Sequence, residues 1–92
     1  MRSQTKRRVT GKDIKVLADA IAREIVHWCY RHSGDPVNVC LASHMEFTDS
    51  YNMYVPEEYE QLYRRVLRSR RKTAALDRAI RARLRKAAAK LK

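Results

Sequence analysis

Five side chains that commonly bind transition metals occur within 18 residues, namely His27, Cys29, His32, Cys40 and His44. A structural zinc site uses four such ligands in a tetrahedron. Cys29 and His32 are three residues apart, so a helix would place them on one face. Cys40 and His44 are expected in an extended segment, where four residues span roughly 13 Å, too far for one ion. We therefore predict no metal and no cofactor, with both cysteines packed in the core as free thiols.

Nucleophilic catalysis by one of these cysteines with a nearby histidine is the other chemistry to consider. The chain has only two glycines, Gly11 and Gly34, and both are accounted for by predicted helix ends, so no glycine-rich loop is left to form an oxyanion hole. The acidic residues are scattered over predicted helix starts and turns. We therefore predict that the protein is not an enzyme.

The charged residues are distributed unevenly along the chain. The 92 residues contain 21 Lys or Arg and 10 Asp or Glu, which gives a net charge of +11. Residues 64–92 hold 13 Lys or Arg and a single acid, Asp77, whereas residues 9–63 hold 4 bases and 9 acids. Residues 1–9 form a basic arm that we expect to be flexible. An acidic body between two basic ends is typical of a chain that presents its C-terminal third to a polyanion.

The basic C-terminal segment is richer in arginine than in lysine, and a guanidinium group can bond two phosphate oxygens at once. It contains no aromatic residue to stack on bases and no Asn or Gln to read adenine. The sequence therefore predicts binding to DNA or RNA through phosphates, with low sequence specificity. The predicted phosphate-binding residues are Arg64, Arg65, Arg68, Arg71, Lys72, Arg78, Arg81, Arg85, Lys86 and Lys90.

Two elements precede the basic segment. Apolar residues at spacings of three and four predict a first helix that begins at Thr10, with Asp13 in its first turn, and ends near His32. Apolar and polar residues then alternate over 37–42 and again over 45–55, which predicts a small two- or three-stranded β element with a turn at 48–50. An irregular loop is the alternative for this stretch.

The third predicted element is one long helix from Glu57 to about Lys90, bent at a polar notch formed by Ser69 and Thr73. Its apolar residues keep one helical register across that notch and form a narrow stripe. A stripe on a long helix needs a partner, which we expect to be a second protein or a second copy of the chain. The predicted protein-partner residues are Tyr59, Tyr63, Leu76, Ile80 and Leu84.

Together these elements predict a fold class that is α+β and mostly helical, in one domain over residues 10–92. Its parts are an acidic body, 10–63, and a basic helical extension, 64–92. No apolar run predicts a membrane span or a signal segment, so the expected location is intracellular and cytoplasmic. The predicted function is non-enzymatic nucleic-acid binding. The alternative is a phage-type inhibitor or adaptor that docks on a host nucleoprotein complex, such as an anti-CRISPR or anti-nuclease protein.

Overall fold

A computed structural model describes residues 8–32, 36–47 and 51–90 of the chain. Over these residues the chain forms four α-helices, which are α1 Gly11–His32, α2 Val37–Phe47, α3 Glu60–Leu67 and α4 Arg70–Ala89. Two 3-10 turns, Asn52–Tyr54 and Glu57–Tyr59, connect α2 to α3. None of the described residues lies in a β-strand, so the predicted α+β fold class is wrong. Most of the predicted basic arm and the predicted turn at 48–50 lie outside the described residues.

Helix α1 confirms the first predicted helix. At its start the Asp13 amide donates to Thr10 Oγ1 at 3.2 Å, and the Thr10 amide donates to Asp13 Oδ2 at 3.0 Å. This reciprocal pair satisfies two backbone donors that the helix itself cannot. Leu17, Ile21 and Ile25 follow at spacings of four and are fully buried, so α1 contributes one continuous face to the core.

Helix α2 occupies most of the stretch that the alternation pattern assigned to strands. The carbonyl of Pro36 accepts from the amides of Val39 and Cys40, which starts the helix directly after the proline. Cys40 and Leu41 are both buried. The same residues fit an i, i+3, i+4 spacing as well as a period of two, because so short an apolar run is ambiguous. Packing against the other helices decides the outcome and overrides the strand preference of the valines.

The predicted long helix is two helices, because the backbone of Ser69 is extended, with φ −117° and ψ 121°. Ser69 Oγ accepts from the Lys72 amide at 3.2 Å and thereby caps the start of α4. The Thr73 hydroxyl donates to the carbonyls of Val66 at 3.1 Å and Ser69 at 2.8 Å, so it joins the end of α3 to α4. The predicted bend is therefore a break in which both polar residues satisfy helix ends.

The core lies where α4 packs against α1 and α2. Leu76, Ile80 and Leu84 of α4 are at most 2 % exposed, and Val66 of α3 is fully buried beside them. The apolar register that crosses the Ser69 break in the sequence is thus present in the structure. It faces the protein's own interior, however, and the acidic body covers more of α4 than we expected.

Candidate nucleic-acid interface and cysteine–histidine cluster

The side of α4 opposite the core is basic. Arg71, Arg78 and Arg85 recur every seven residues, so they lie almost in line along the helix at intervals of about 10 Å. All three are exposed, as is Lys86 beside Arg85. The residues between them include exposed alanines, and we call the whole surface the outer face: Arg71, Ala74, Arg78, Ala82, Arg85, Lys86 and Ala89.

The outer face holds cations without neighbouring carboxylates. The only acid of α4, Asp77, lies towards the flank of the helix and pairs with Arg81 at 2.9 Å. Among the described residues, Arg71, Arg78 and Arg85 form no ion pair with an acidic side chain. Their guanidinium groups are therefore available to an external anion.

Two other arginines of α4 form ion pairs within the protein. Arg83 pairs with Asp19 of α1 and donates from Nη1 to the carbonyl of Ala79 at 3.0 Å. Arg81 donates to Asp77, and this hydrogen bond raises the pKa of the Arg81 guanidinium. Arg81 belonged to the predicted phosphate-binding set, and the structure engages it in an intramolecular pair instead.

The Arg81–Asp77 pair extends to a tyrosine that sequence reasoning did not single out. Tyr51 donates its hydroxyl hydrogen to Asp77 Oδ1 at 2.5 Å and is only 6 % exposed. Burial, followed by the hydrogen bond to the Asp77 carboxylate, raises the pKa of the Tyr51 phenol. This network ties the segment before the first 3-10 turn to α4. The signal in the sequence was Asp77 itself, the single acid of a strongly basic segment.

The remaining predicted phosphate-binding residues are spread over other parts of the surface. Arg64 and Arg68 are exposed on α3 and directly after it, and Lys90 is exposed at the end of α4. Arg65 and Lys72 are half-buried. The structure therefore brings four of the ten predicted residues together on the outer face.

The predicted protein-partner residues are not available as one surface. Leu76, Ile80 and Leu84 are core residues, Tyr63 is 6 % exposed, and Tyr59 is half-buried. The expectation that this apolar stripe lies open to a second protein or a second copy is therefore wrong. The reason is that α1 and α2 together cover it, and α2 stands where we had expected strands or loop.

A second constellation lies between α1 and α2. Cys29 of α1 and Cys40 of α2 are both buried and form a disulfide, with Cα atoms 5.8 Å apart, so the prediction of free thiols is wrong. His44 follows Cys40 by one helical turn, and its Nδ1 lies 3.9 Å from each sulfur. The three ligand atoms are within 4.8 Å of one another. The extended geometry that separated Cys40 from His44 in our prediction does not occur, because a helix brings i and i+4 together.

The imidazole of His44 is held on both nitrogens. Nδ1 lies 3.0 Å from the carbonyl oxygen of Cys40, and Nε2 lies 2.9 Å from the Tyr54 hydroxyl. The rings of Trp28 and Tyr54 meet the imidazole edge-on, with centroids 6.1 and 5.4 Å away. Burial raises the pKa of the Tyr54 phenol. His44 thus has a fixed orientation relative to the two sulfurs.

Among the histidines whose side chains the structure describes, His27 does not join this cluster. His27 is exposed and lies two residues from Cys29, which places it on a different side of α1. His32 is the last residue of α1, and its side chain lies outside the described part. The cluster that the structure describes therefore consists of Cys29, Cys40 and His44.

Comparisons with protein-family models, with curated proteins and with solved structures found no match for this chain. Every helix in the described ranges is too short or too polar to cross a lipid bilayer.

Proposed function

We propose that the protein is a non-enzymatic nucleic-acid-binding protein that contacts phosphates through the outer face of α4. The observation that carries this proposal is the division among the arginines of α4. Arg81 and Arg83 pair with carboxylates, while Arg71, Arg78 and Arg85 project into solvent on a face without acids. Unpaired arginines aligned on one face create a positive potential that attracts a polyanion.

The spacing of the outer face suits a nucleic-acid backbone. Arg71 and Arg85 are 14 residues apart, or about 21 Å along the helix axis. The major groove of B-DNA is about 12 Å wide and admits an α-helix, so a helix with a row of exposed cations can come close to backbone phosphates there. The alanines between the arginines have short side chains and allow the helix to approach closely. This face carries no Asn or Gln, which supports phosphate contact with low sequence specificity.

The alternative of a phage-type inhibitor or adaptor depended on the apolar stripe as a docking surface. That stripe lies in the core, so an adaptor of this kind would have to bind through another surface. The exposed outer face favours direct contact with the nucleic acid.

The proposal is tested by reversing the charge of the outer face. Arg71→Glu, Arg78→Glu and Arg85→Glu together should weaken binding to a labelled duplex by at least ~100-fold, because three phosphate contacts become repulsive. The matched control is Lys12→Glu, Lys15→Glu and Arg23→Glu, which reverses three exposed bases of α1 and changes the net charge equally. Fluorescence anisotropy with duplex DNA and duplex RNA measures the affinity, and circular dichroism verifies the fold.

Equal weakening by the two triple variants would show that only net charge matters, which contradicts a specific outer-face interface. Unchanged binding by the folded outer-face variant would reject the proposal outright. A difference between the two duplexes would identify the preferred nucleic acid.

A further inference from the structure

We propose that Cys29, Cys40 and His44 form a Zn²⁺ site when the cysteines are reduced, and that the disulfide is the metal-free form of the same site. The three ligand atoms come from two helices and converge within 4.8 Å. Sulfur and imidazole nitrogen form the donor set that zinc prefers in proteins. The proposed site is separate from the outer face of α4, and it stands whether or not the protein binds nucleic acid.

The positions of the donor atoms agree with tetrahedral zinc. Zn–S bonds of about 2.3 Å and Zn–N bonds of about 2.0 Å place a sulfur and a nitrogen roughly 3.5 Å apart around one ion. In the structure His44 Nδ1 is 3.9 Å from each of the two sulfurs. The imidazole is therefore almost at the required distance from both. Reduction leaves the sulfurs free to separate to the roughly 3.8 Å that two ligands of one zinc ion need.

Of the two hydrogen bonds of His44, the one to the Cys40 carbonyl exists only in the disulfide form, whereas the one to Tyr54 can exist in both states. In the disulfide form, Nδ1–H can donate to the Cys40 carbonyl while Nε2 accepts from the Tyr54 hydroxyl. Zinc requires the lone pair of Nδ1, so the ring proton must then be on Nε2, where it can donate to the same hydroxyl. A phenol both donates and accepts, and Tyr54 can therefore satisfy either tautomer. Metal-bound histidines commonly donate their second N–H to such a partner.

Three protein ligands leave one position of the tetrahedron. A water molecule can take this position, as it does in zinc sites with three protein ligands. Disulfide and zinc both connect α1 to α2 across the same 11-residue separation. Exchange between them therefore preserves the helix pair and changes the charge and accessibility of the sulfurs.

The redox step is ordinary thiol–disulfide exchange. A thiolate of an external dithiol attacks one sulfur of the Cys29–Cys40 bond, and a mixed disulfide forms. The second thiol of the dithiol breaks the mixed disulfide, so two electrons pass to the protein and the dithiol leaves as its own disulfide. Zn²⁺ then binds both sulfurs as thiolates, and their two protons go to the buffer.

The test uses Co²⁺ as a spectroscopic substitute for Zn²⁺, with the full-length protein reduced by a dithiol that is removed before titration. We expect one Co²⁺ per chain with thiolate-to-metal charge-transfer absorption, displaced by Zn²⁺, and no such absorption for the oxidised protein. His44→Gln should lower the Co²⁺ affinity by more than 100-fold, because a direct ligand is lost, beyond the ~10–100-fold typical for a ligand's partner. His27→Gln is the matched control and should bind like the unaltered protein, since His27 lies outside the cluster.

Tyr54→Phe distinguishes a positioned histidine from a merely adjacent one. This variant keeps the ring and all three ligands but removes the Nε2 partner, so the Co²⁺ affinity should fall by ~10–100-fold. If the reduced protein loses helical circular dichroism, recovery on addition of Zn²⁺ supports the site and lack of recovery rejects it. Reduced, folded protein that binds no Co²⁺, or binds it equally with His44→Gln, would also reject the site.

Discussion

The two faces of α4 carry the same residue type for different purposes. On the inner side and its flanks, Arg81 and Arg83 meet carboxylates from α4 and α1, next to a core of Leu76, Ile80 and Leu84. On the outer face, arginines meet only solvent within the described structure. An arginine beside a carboxylate helps position helices, and one without such a partner retains its charge for a ligand. The net charge of a segment therefore overestimates the number of cations that are available to bind a ligand.

Variants of the inner side of α4 should lose stability, whereas variants of the outer face should lose affinity for nucleic acid. The following predictions test that separation, beginning with the largest effect.

Leu84→Ala should reduce the free energy of unfolding by about 2–5 kcal/mol, because a fully buried leucine leaves a cavity. Urea denaturation followed by circular dichroism measures this loss. Leu67→Ala is the matched control, since Leu67 is 45 % exposed and should cost much less. Similar losses at the two positions would mean that the inner face of α4 is not the core.

Binding through the outer face should depend strongly on salt. Four cations that each neutralise a phosphate give a log–log slope of roughly −3.6, so affinity should fall on the order of 100-fold between about 50 and 200 mM salt. Arg81→Ala should leave this slope unchanged, because Arg81 is paired with Asp77. A shallower slope in Arg81→Ala would show that Arg81 also contacts phosphates, which contradicts the separation of the paired arginines from the outer face.

Tyr51→Phe should reduce the free energy of unfolding near neutral pH by about 1.5 kcal/mol, because it removes a partly buried hydrogen bond to a carboxylate. The folded state raises the pKa of Tyr51, so this contribution is complete below the unfolded value near 10 and declines as the pH rises above it. Denaturation at about pH 7 and about pH 11 should therefore show the two proteins converging at the higher pH. Tyr30→Phe, at a 59 % exposed position, should show neither effect.

Ser69→Ala should have the smallest effect, about 1 kcal/mol, because it removes the cap of α4 and leaves the packing intact. Ser43→Ala, at an exposed position within α2, is the control and should change stability little. Thermal denaturation of both variants provides the measurement. If Ser69→Ala costs no more stability than Ser43→Ala, the start of α4 does not depend on this cap.

Local signals predicted those parts of the fold where one pattern had a single interpretation. Thr10 and Asp13 marked the start of α1, and the long register of apolar residues identified the core side of α4. The 37–42 segment fits two periods equally, and only packing against α1 and α4 selects the helix. The Ser69 break escaped prediction because a cap and a bend use the same polar residues. The sequence shows which residues are cationic, but it does not show which of them pair with a carboxylate, because such pairs depend on the tertiary fold. Arg83, for example, pairs with Asp19, which lies 64 residues earlier in the chain.

The packing of α1 against α4 has a consequence for the order of folding. The buried side of the first helix is completed mainly by the last, so its contacts join residues far apart in sequence, unlike those of a simple helical hairpin. The chain between α1 and α4 must lose conformational entropy before their apolar sides are buried. Folding should therefore be slower than in helical bundles with mostly local contacts. During synthesis, the apolar side of α1 stays only partly covered until α4 has emerged from the ribosome. A chain that stops before Arg70 would expose Leu17, Ile21 and Ile25 and become a substrate for chaperones or aggregation.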